Sequence, residues 1–204
     1  MSTELFQARS DQDVLRLLRE QPFGWLACGH GATFRASAIP FRARLGPAGQ
    51  LVGLWGHLAR SNPQVGLLRQ DPRAEILILG ANGYISPSWM ADRAQAPTWN
   101  YASVQFLTRI AFIEDDAGLA QVLRDLIGAM EAGRPNAWSI EDMGARYARL
   151  AQRIVAFEAN IVEVRPKFKL GQDERRDVFA DIIQGLEATE AQELRTWMAD
   201  FARQ

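Results

Sequence analysis

The chain has very few of the residues that build disulfides and transition-metal sites. Its 204 residues include one cysteine, Cys28, and two histidines, His30 and His57. One cysteine excludes an intrachain disulfide and a cysteine-based metal site, and two histidines exclude a three-histidine site within one chain. Cys28 lies in the apolar run of residues 23–28, which favours a small buried hydrophobe over a nucleophile. We therefore predict no metal centre.

Long hydrophobic runs are also absent from the sequence. No apolar stretch approaches the ~20 residues that a membrane-spanning helix needs. The first ten residues, MSTELFQARS, lack the basic and apolar regions of a secretory signal. These absences predict a cytoplasmic protein with no membrane partner.

Net charge is small, but it is unevenly distributed along the chain. The formal net charge is −1. Residues 172–204 contain eight acidic and four basic residues, whereas residues 22–171 have a surplus of four positive charges. A modest positive surplus in the central part suits a small anionic ligand better than a long polyanion.

The order of strand-like and helix-like segments predicts the fold class. β-like segments bounded by Gly or Pro cover residues 23–28, 33–45, 50–55, 74–79, 101–113 and 154–164. Helical patterns cover residues 11–20, 63–69, 116–131, 139–149, 173–185 and 189–203. Short strands with turn signals between them, interrupted by helices, predict an α+β protein with a mainly β core. We expect a small barrel with surrounding helices and a C-terminal helical pair.

Residues 84–101, YISPSWMADRAQAPTWNY, combine rigid aromatics with hydroxyl and amide side chains. Such a segment makes a good wall for a flat ligand with polar edges. The alternative is a structural loop whose tryptophans fill the core. The sequence by itself leaves both interpretations open.

Residues 56–64, GHLARSNPQ, follow a strand-like segment and open a helix. Free backbone N–H groups at a helix start, together with Arg60, Ser61 and Asn62, could hold a phosphate. The simpler interpretation is that Asn62 caps a surface helix and Arg60 is solvated. His57 in the same segment could be a general base, a phosphate donor or a haem ligand, although a lone histidine is most often a hydrogen-bonded structural residue.

Several blocks of the sequence resemble one known family. The motifs GHLARSNPQ (56–64), YISPSW (84–89), PTWNY (97–101), KFKLGQ (167–172) and PFGWLA (22–27) resemble the PaiB-type FMN-binding negative transcriptional regulators. The resemblance implies a flavin-reductase-like split barrel that binds FMN and works as a homodimer. We also predict a split-barrel domain over residues 1–170, with a helical insertion at about 116–150. The C-terminal helical extension at 171–204 is predicted from the helical pattern, because the resemblance weakens after residue 172.

The same resemblance implies which residues bind the cofactor. His57, Arg60, Ser61 and Asn62 would lie near the FMN phosphate, and Ser37, Ala38 and Ile39 would approach the isoalloxazine edge. The dimer groove would be lined by Ser86, Ser88, Trp99, Asn100, Lys169 and Gln172. The chain departs from the family pattern at Met90, Gly171 and Asp173.

Three functions remain open at this point. The protein could be a flavin-binding redox protein, a DNA-binding repressor as the family name implies, or a ligand-binding module without flavin turnover. Direct DNA binding has little physical support in the sequence, because the C-terminal helical segments are acidic and no helix-turn-helix pattern is evident. No proton donor or substrate can be named, so enzymatic turnover is left open.

Overall fold

The structure, a computed structural model, describes residues 3–202, except for the side chains of residues 3, 4 and 30. The strands are β1 Phe23–His30, β2 Thr33–Pro40, β3 Arg42–Leu45, β4 Leu51–Ala59, β5 Arg73–Ile85, β6 Thr98–Ile113 and β7 Ile154–Lys169. The α-helices are α1 Asp11–Glu20, α2 Pro63–Gln70, α3 Asp116–Glu131, α4 Arg146–Ala151, α5 Arg176–Glu187 and α6 Gln192–Ala202. Short 3₁₀ turns lie at Thr3–Phe6, Pro87–Trp89 and Ile140–Met143.

The strands form one antiparallel sheet in the order β2-β1-β5-β6-β7-β4-β3. β1 and β2 pair along their whole length, with Trp25 opposite Ala38 and Leu26 opposite Ser37. β4 pairs with β7, where Gly56 lies opposite Phe157. A Cβ atom on Gly56 would lie 2.6 Å from the Phe157 ring, so only glycine leaves room for that ring.

The chain divides into two compact units. One, here called the central unit, comprises residues 18–78 and 105–164, and the other, the terminal unit, comprises residues 1–17, 79–104 and 165–204. The core of the central unit contains fully buried side chains from its strands, namely Leu26, Leu54, Leu58, Ile76, Phe106 and Phe157. The terminal unit buries side chains from α1, β7, α5 and α6, namely Leu17, Phe168, Ile182, Leu194, Trp197 and Met198.

The strongest sequence patterns predict the helices correctly. α1 and α3 have the predicted bounds, 11–20 and 116–131. Asn62 caps α2 with Pro63 in its first turn, as predicted. The predicted last helix extends to residue 203, which lies outside the described residues.

Segments containing glycine or proline differ from the prediction. The predicted strand 33–45 breaks into β2 and β3 at Phe41, whose side chain is buried and whose N–H bonds to Pro22 O at 2.7 Å. The predicted helix 139–149 becomes a 3₁₀ turn and α4, because Gly144 between them has a φ of 51°. Conversely, β5 continues through two glycines and β7 continues through Pro166 to Lys169.

Two further features limit the kinds of site that the described residues can form. None of their helices is both long and apolar enough to span a membrane. They also contain no group of three or more His, Cys, Asp or Glu side chains placed to hold a metal ion.

The predicted domain boundary at residue 170 stays a prediction.

Candidate functional site

The start of α2 is joined to β2 by the side chain of Asn62, and Gln64 adds a longer hydrogen bond to Arg35 O on β2 at 3.3 Å. Its Nδ2 donates a hydrogen bond to Ser37 Oγ at 2.9 Å, while its Oδ1 accepts from the N–H of Gln64, also at 2.9 Å. The buried Gln64 then donates to the carbonyl oxygen of Leu26 on β1 at 2.9 Å. The structure therefore brings together two of the predicted cofactor-binding groups, the helix start and β2. We call this place the β2–α2 corner.

The backbone at the start of α2 has few free donors. Pro63 has no N–H, that of Gln64 bonds to the Asn62 side chain, and that of Val65 bonds to Asn62 O at 3.0 Å. The N–H of Arg60 bonds to Arg153 O at 2.8 Å. An anion at this corner would therefore be held mainly by side chains, and the exposed Ser61 hydroxyl and Arg60 guanidinium are the available donors.

Arg60 shares a carboxylate with another arginine. Its Nη1 lies 3.2 Å from Glu114 Oε2, and Arg69 Nη2 lies 2.6 Å from Glu114 Oε1. All three side chains are exposed, so these pairs contribute little to stability. Arg60 can thus turn to a phosphate while Arg69 continues to neutralise Glu114.

His57 lies within β4 rather than after it. It is half-buried, and its Nδ1 is a buried atom without a hydrogen-bond partner among the described residues. Directly opposite, Ala156 belongs to a buried cluster with Leu119 and Val122 of α3. Directly paired residues share a face of the sheet, so His57 points to the face that α3 covers. Burial lowers the pKa of His57, which favours its neutral form.

Ser37, Ala38 and Ile39 are half-buried residues of β2. β2 is the first strand in the sheet order, so no strand among the described residues is hydrogen-bonded to its other edge, although β4 lies near β2. The backbone N–H and C=O groups along such an edge can bond to a ligand. This is the arrangement that the predicted isoalloxazine contact requires.

In the terminal unit, the aromatic segment has exposed and packed parts. Trp99 is 52% exposed, its ring centroid is 6.1 Å from that of Tyr84, and its Nε1 donates to Asn82 Oδ1 at 3.2 Å. Trp89 is half-buried and its ring occupies the space next to Gly185, where a Cβ atom would lie 2.5 Å away. The structural interpretation therefore holds for Trp89, whereas a ligand contact by the exposed Trp99 stays a prediction.

The other residues predicted from this segment have local partners. Asn100 points to the opposite face from Trp99, is buried, and lies 3.6 Å from Met198 Sδ through its Nδ2. Ser86 caps the 3₁₀ turn by accepting from the N–H of Ser88, and the two hydroxyls are 2.7 Å apart. The structure thus does not place Asn100 on the exposed face that Trp99 occupies.

Lys169 and Gln172 have partners in the terminal unit as well. Lys169 at the end of β7 donates to Thr98 Oγ1. Gln172 accepts from the N–H of Leu170 at 2.7 Å and donates to Phe168 O at 2.5 Å, so its amide holds the turn after β7. Ligand contacts by these two residues stay predictions.

The central unit exposes an apolar surface that the sequence analysis did not assign. Large side chains on it are strongly exposed, namely Phe23 (61%), Trp25 (54%), Phe34 (66%), Leu77 (42%) and Val162 (65%). We call these five residues the exposed apolar face. Phe34, Leu77 and Val162 line a groove of about 480 Å³ together with Arg73 and Arg109. The sequence did contain a signal for this surface. In β1 and β5, large apolar residues occupy both sets of alternating positions, so each strand presents apolar side chains on both faces of the sheet.

Comparisons with known sequences found a matching family model and a curated relative. The sequence model of a family described as “Putative FMN-binding domain” matches residues 2–163. The chain is 23% identical over 186 residues to the Protease synthase and sporulation protein PAI 2 of Bacillus subtilis (strain 168), covering 91% of this chain and 88% of that protein.

Solved structures share the fold at low sequence identity. The flavocytochrome Anf3 from Azotobacter vinelandii aligns with a TM-score of 0.65 and 18% identity, over 86% of this chain and 75% of that one. The FAD and heme binding protein from Mycobacterium smegmatis aligns with a TM-score of 0.64 and 20% identity, over 88% and 80%. These likenesses confirm the predicted α+β split-barrel fold with surrounding helices.

Proposed function

Because the chain belongs to the FMN-binding domain family, with FMN as its cofactor, we propose that it holds FMN at a homodimer interface and acts as a flavin-dependent redox protein. The observation that carries the proposal is the Asn62–Ser37 hydrogen bond of 2.9 Å. It joins the helix start that would bind the phosphate to the strand that would meet the isoalloxazine ring.

The donors at the β2–α2 corner fit a phosphate group. A guanidinium binds phosphate oxygens with two parallel hydrogen bonds, and the neighbouring Ser61 adds a hydroxyl donor. Arg69 remains to neutralise Glu114 when Arg60 changes partner. The corner therefore gains a favourable charge interaction without leaving Glu114 unpaired.

The exposed apolar face supports a second copy of this chain as the partner. Trp25 lies opposite Leu77 across the β1–β5 pair, so their side chains share one face. Several large exposed apolar residues on one unit of a monomer usually mark an interaction surface. A homodimer would bury this face.

FMN and the surrounding residues have separate roles in the proposed site. FMN, when bound, supplies the electron-transfer chemistry. Arg60 and Ser61 bind the phosphate, the β2 backbone orients the ring, and the partner copy excludes water from the ring. Contact between Trp99 and the ring stays a prediction of the family resemblance.

One set of measurements tests the proposal. Purified protein should show flavin absorption bands after incubation with FMN, bind about one FMN per chain, and sediment as a dimer at micromolar concentration. Anaerobic addition of NADH or NADPH should then bleach the flavin band. A monomer that binds FMN would contradict the dimer, and a flavin reduced by dithionite alone would contradict the redox role with these donors.

A regulatory role is the second candidate, and its support is the name of the Bacillus subtilis relative, which is called a sporulation protein. Direct DNA binding by the C-terminal pair has no electrostatic support. α5 contains three acidic residues and one basic residue, and α6 contains two acidic residues and one basic residue. Such helices are repelled by a phosphate backbone. Regulation through the redox state of FMN is compatible with the same site.

A further inference from the structure

The terminal unit contains a cavity of about 580 Å³ that lies outside the proposed flavin corner. Its walls come from the N-terminal segment, the turn after β7, and helices α5 and α6. Most of its lining residues follow position 163, where the match to the family model ends. Its volume is in the range of ordinary small-molecule sites, ~300–1,000 Å³.

The floor of the cavity is apolar and well packed. Leu170 is 1% exposed and Phe201 is 7% exposed, and the Phe201 ring stacks on Phe168 with centroids 5.5 Å apart. Gly171 has a φ of +84°, and a Cβ atom there would lie 3.0 Å from Met198 Cε. Because Gln172 also bonds to Leu170 and Phe168, the turn that forms this wall is held in one conformation.

Arg9 on the rim is already neutralised. Its guanidinium lies 3.8 Å from the Phe201 ring centroid and pairs with the buried carboxylate of Asp13 at 2.7 Å. It donates a second time to the carbonyl oxygen of Asp200 at 3.0 Å. Arg9 therefore builds the wall of the cavity and leaves little charge for a ligand.

Two other rim residues carry opposite charges, and Lys169 and Arg175 lie close enough to Glu174 to offset part of its charge. Glu174 is half-buried, and burial together with Asp173 raises the pKa of its carboxyl group. Arg176, two residues later, is exposed. Among the described residues, neither side chain has a hydrogen bond or close ion pair. Both line the same cavity as the phenyl rings of Phe179 and Phe201.

We propose that this cavity binds a small zwitterion with an apolar side chain, namely a free α-amino acid. Its ammonium group would bind Glu174, its carboxylate would bind Arg176, and its side chain would contact Phe179 and Phe201. A simple anion would be repelled by Glu174, and a simple cation would be repelled by Arg176. A zwitterion neutralises both charges and covers the apolar floor.

Three probes that share a phenylethyl skeleton test the charge requirement. L-phenylalanine is the zwitterion, 3-phenylpropionate is the anion, and 2-phenylethylamine is the cation. Isothermal titration of each into the FMN-loaded full-length protein should show L-phenylalanine binding at least about tenfold more tightly than the other two, the scale of one charged hydrogen bond.

Variants locate the binding to this cavity. Glu174→Gln and Arg176→Gln should each weaken L-phenylalanine binding about tenfold, whereas Glu190→Gln, an exposed residue outside the cavity, should not change it. Circular dichroism checks that each variant is folded. Absence of L-phenylalanine binding would overturn the proposal. So would equal binding of 3-phenylpropionate or of 2-phenylethylamine, or unchanged affinity in folded Glu174→Gln. Flavin bands in the same samples report on the FMN proposal separately.

Discussion

The indole N–H of Trp99 on β6 donates a hydrogen bond to Asn82 on the neighbouring strand β5, at 3.2 Å. Tyr84 lies beside the same ring, with centroids 6.1 Å apart. Trp99 is thus fixed in place although 52% of its surface is exposed. A large ring that is both fixed and exposed is suited to contacting a flat ligand.

Trp99→Ala should weaken FMN binding while changing the stability of the apo protein by less than about 1 kcal/mol, because more than half of the Trp99 surface is exposed. Trp89→Ala is the matched control. Its ring packs next to Gly185, so its removal should cost roughly 2–4 kcal/mol of apo stability. Apo-protein denaturation and FMN titration give both numbers for each variant. A large loss of stability with unchanged FMN affinity in Trp99→Ala would show that Trp99 is structural.

Arg60→Ala should weaken FMN binding by about ten- to a hundredfold, the scale of a charged hydrogen bond to phosphate. Arg69→Ala is the control, because Arg69 shares Glu114 with Arg60 but follows the start of α2 by two turns. We expect Arg69→Ala to change FMN affinity much less. Equal dissociation constants for the wild type and Arg60→Ala would move the phosphate elsewhere, with Arg35 and Lys169 as the next candidates.

Two substitutions of Asn62 distinguish its role as the cap of α2 from its position next to the proposed phosphate site. Asn62→Ala removes the α2 cap and the bond to Ser37, and should cost about 1–2 kcal/mol of stability. Asn62→Asp keeps a capping oxygen, so its stability should stay within roughly 0.5 kcal/mol of the wild type. Its added negative charge should nevertheless weaken FMN binding more than Asn62→Ala does. If Asn62→Asp binds FMN as well as the wild type, the phosphate does not lie at this corner.

His57 should make stability fall as the pH falls. Burial lowers the pKa of His57 from its ordinary value of 6.5, so the unfolded chain takes up a proton at a higher pH than the folded chain does. The unfolded state then binds more protons once the pH falls through about 6.5, and unfolding becomes easier below that pH. When the pH is lowered through 6.5, the melting temperature of His57→Gln should decrease less than that of the wild type. Equal losses would show that His57 does not titrate differently in the folded state.

Trp25→Arg should turn the proposed dimer into a monomer at micromolar concentration, because it places a charge on the exposed apolar face next to Leu77. Leu45→Arg is the control. Leu45 on β3 is similarly exposed, at 52% against 54% for Trp25, but lies at the other end of the sheet order. Sedimentation velocity distinguishes the two variants. A Trp25→Arg protein that stays dimeric would place the interface on another surface.

Elements whose signals act within a few residues are predictable from the sequence, whereas elements that depend on strand pairing are not. The bounds of α1 and α3 and the Asn62 cap follow from helix periodicity and capping chemistry, which act within a few residues. Gly80 and Pro166 look like strand breakers, yet β5 and β7 pass through them. Pairing with neighbouring strands overrode the local preference there, and one sequence cannot reveal that pairing.

The sequence by itself determined the family, the α+β class and the segments from which a site could be built, because motif blocks and periodicity are written in the order of residues. Only the tertiary structure decided which of the predicted site residues come together. It joined Asn62 to Ser37, placed Asn100 and Trp99 on opposite faces of β6, and turned His57 towards the face that α3 covers. Those outcomes depend on strand register and on long-range packing, in which a shift of one residue reverses the direction of a side chain.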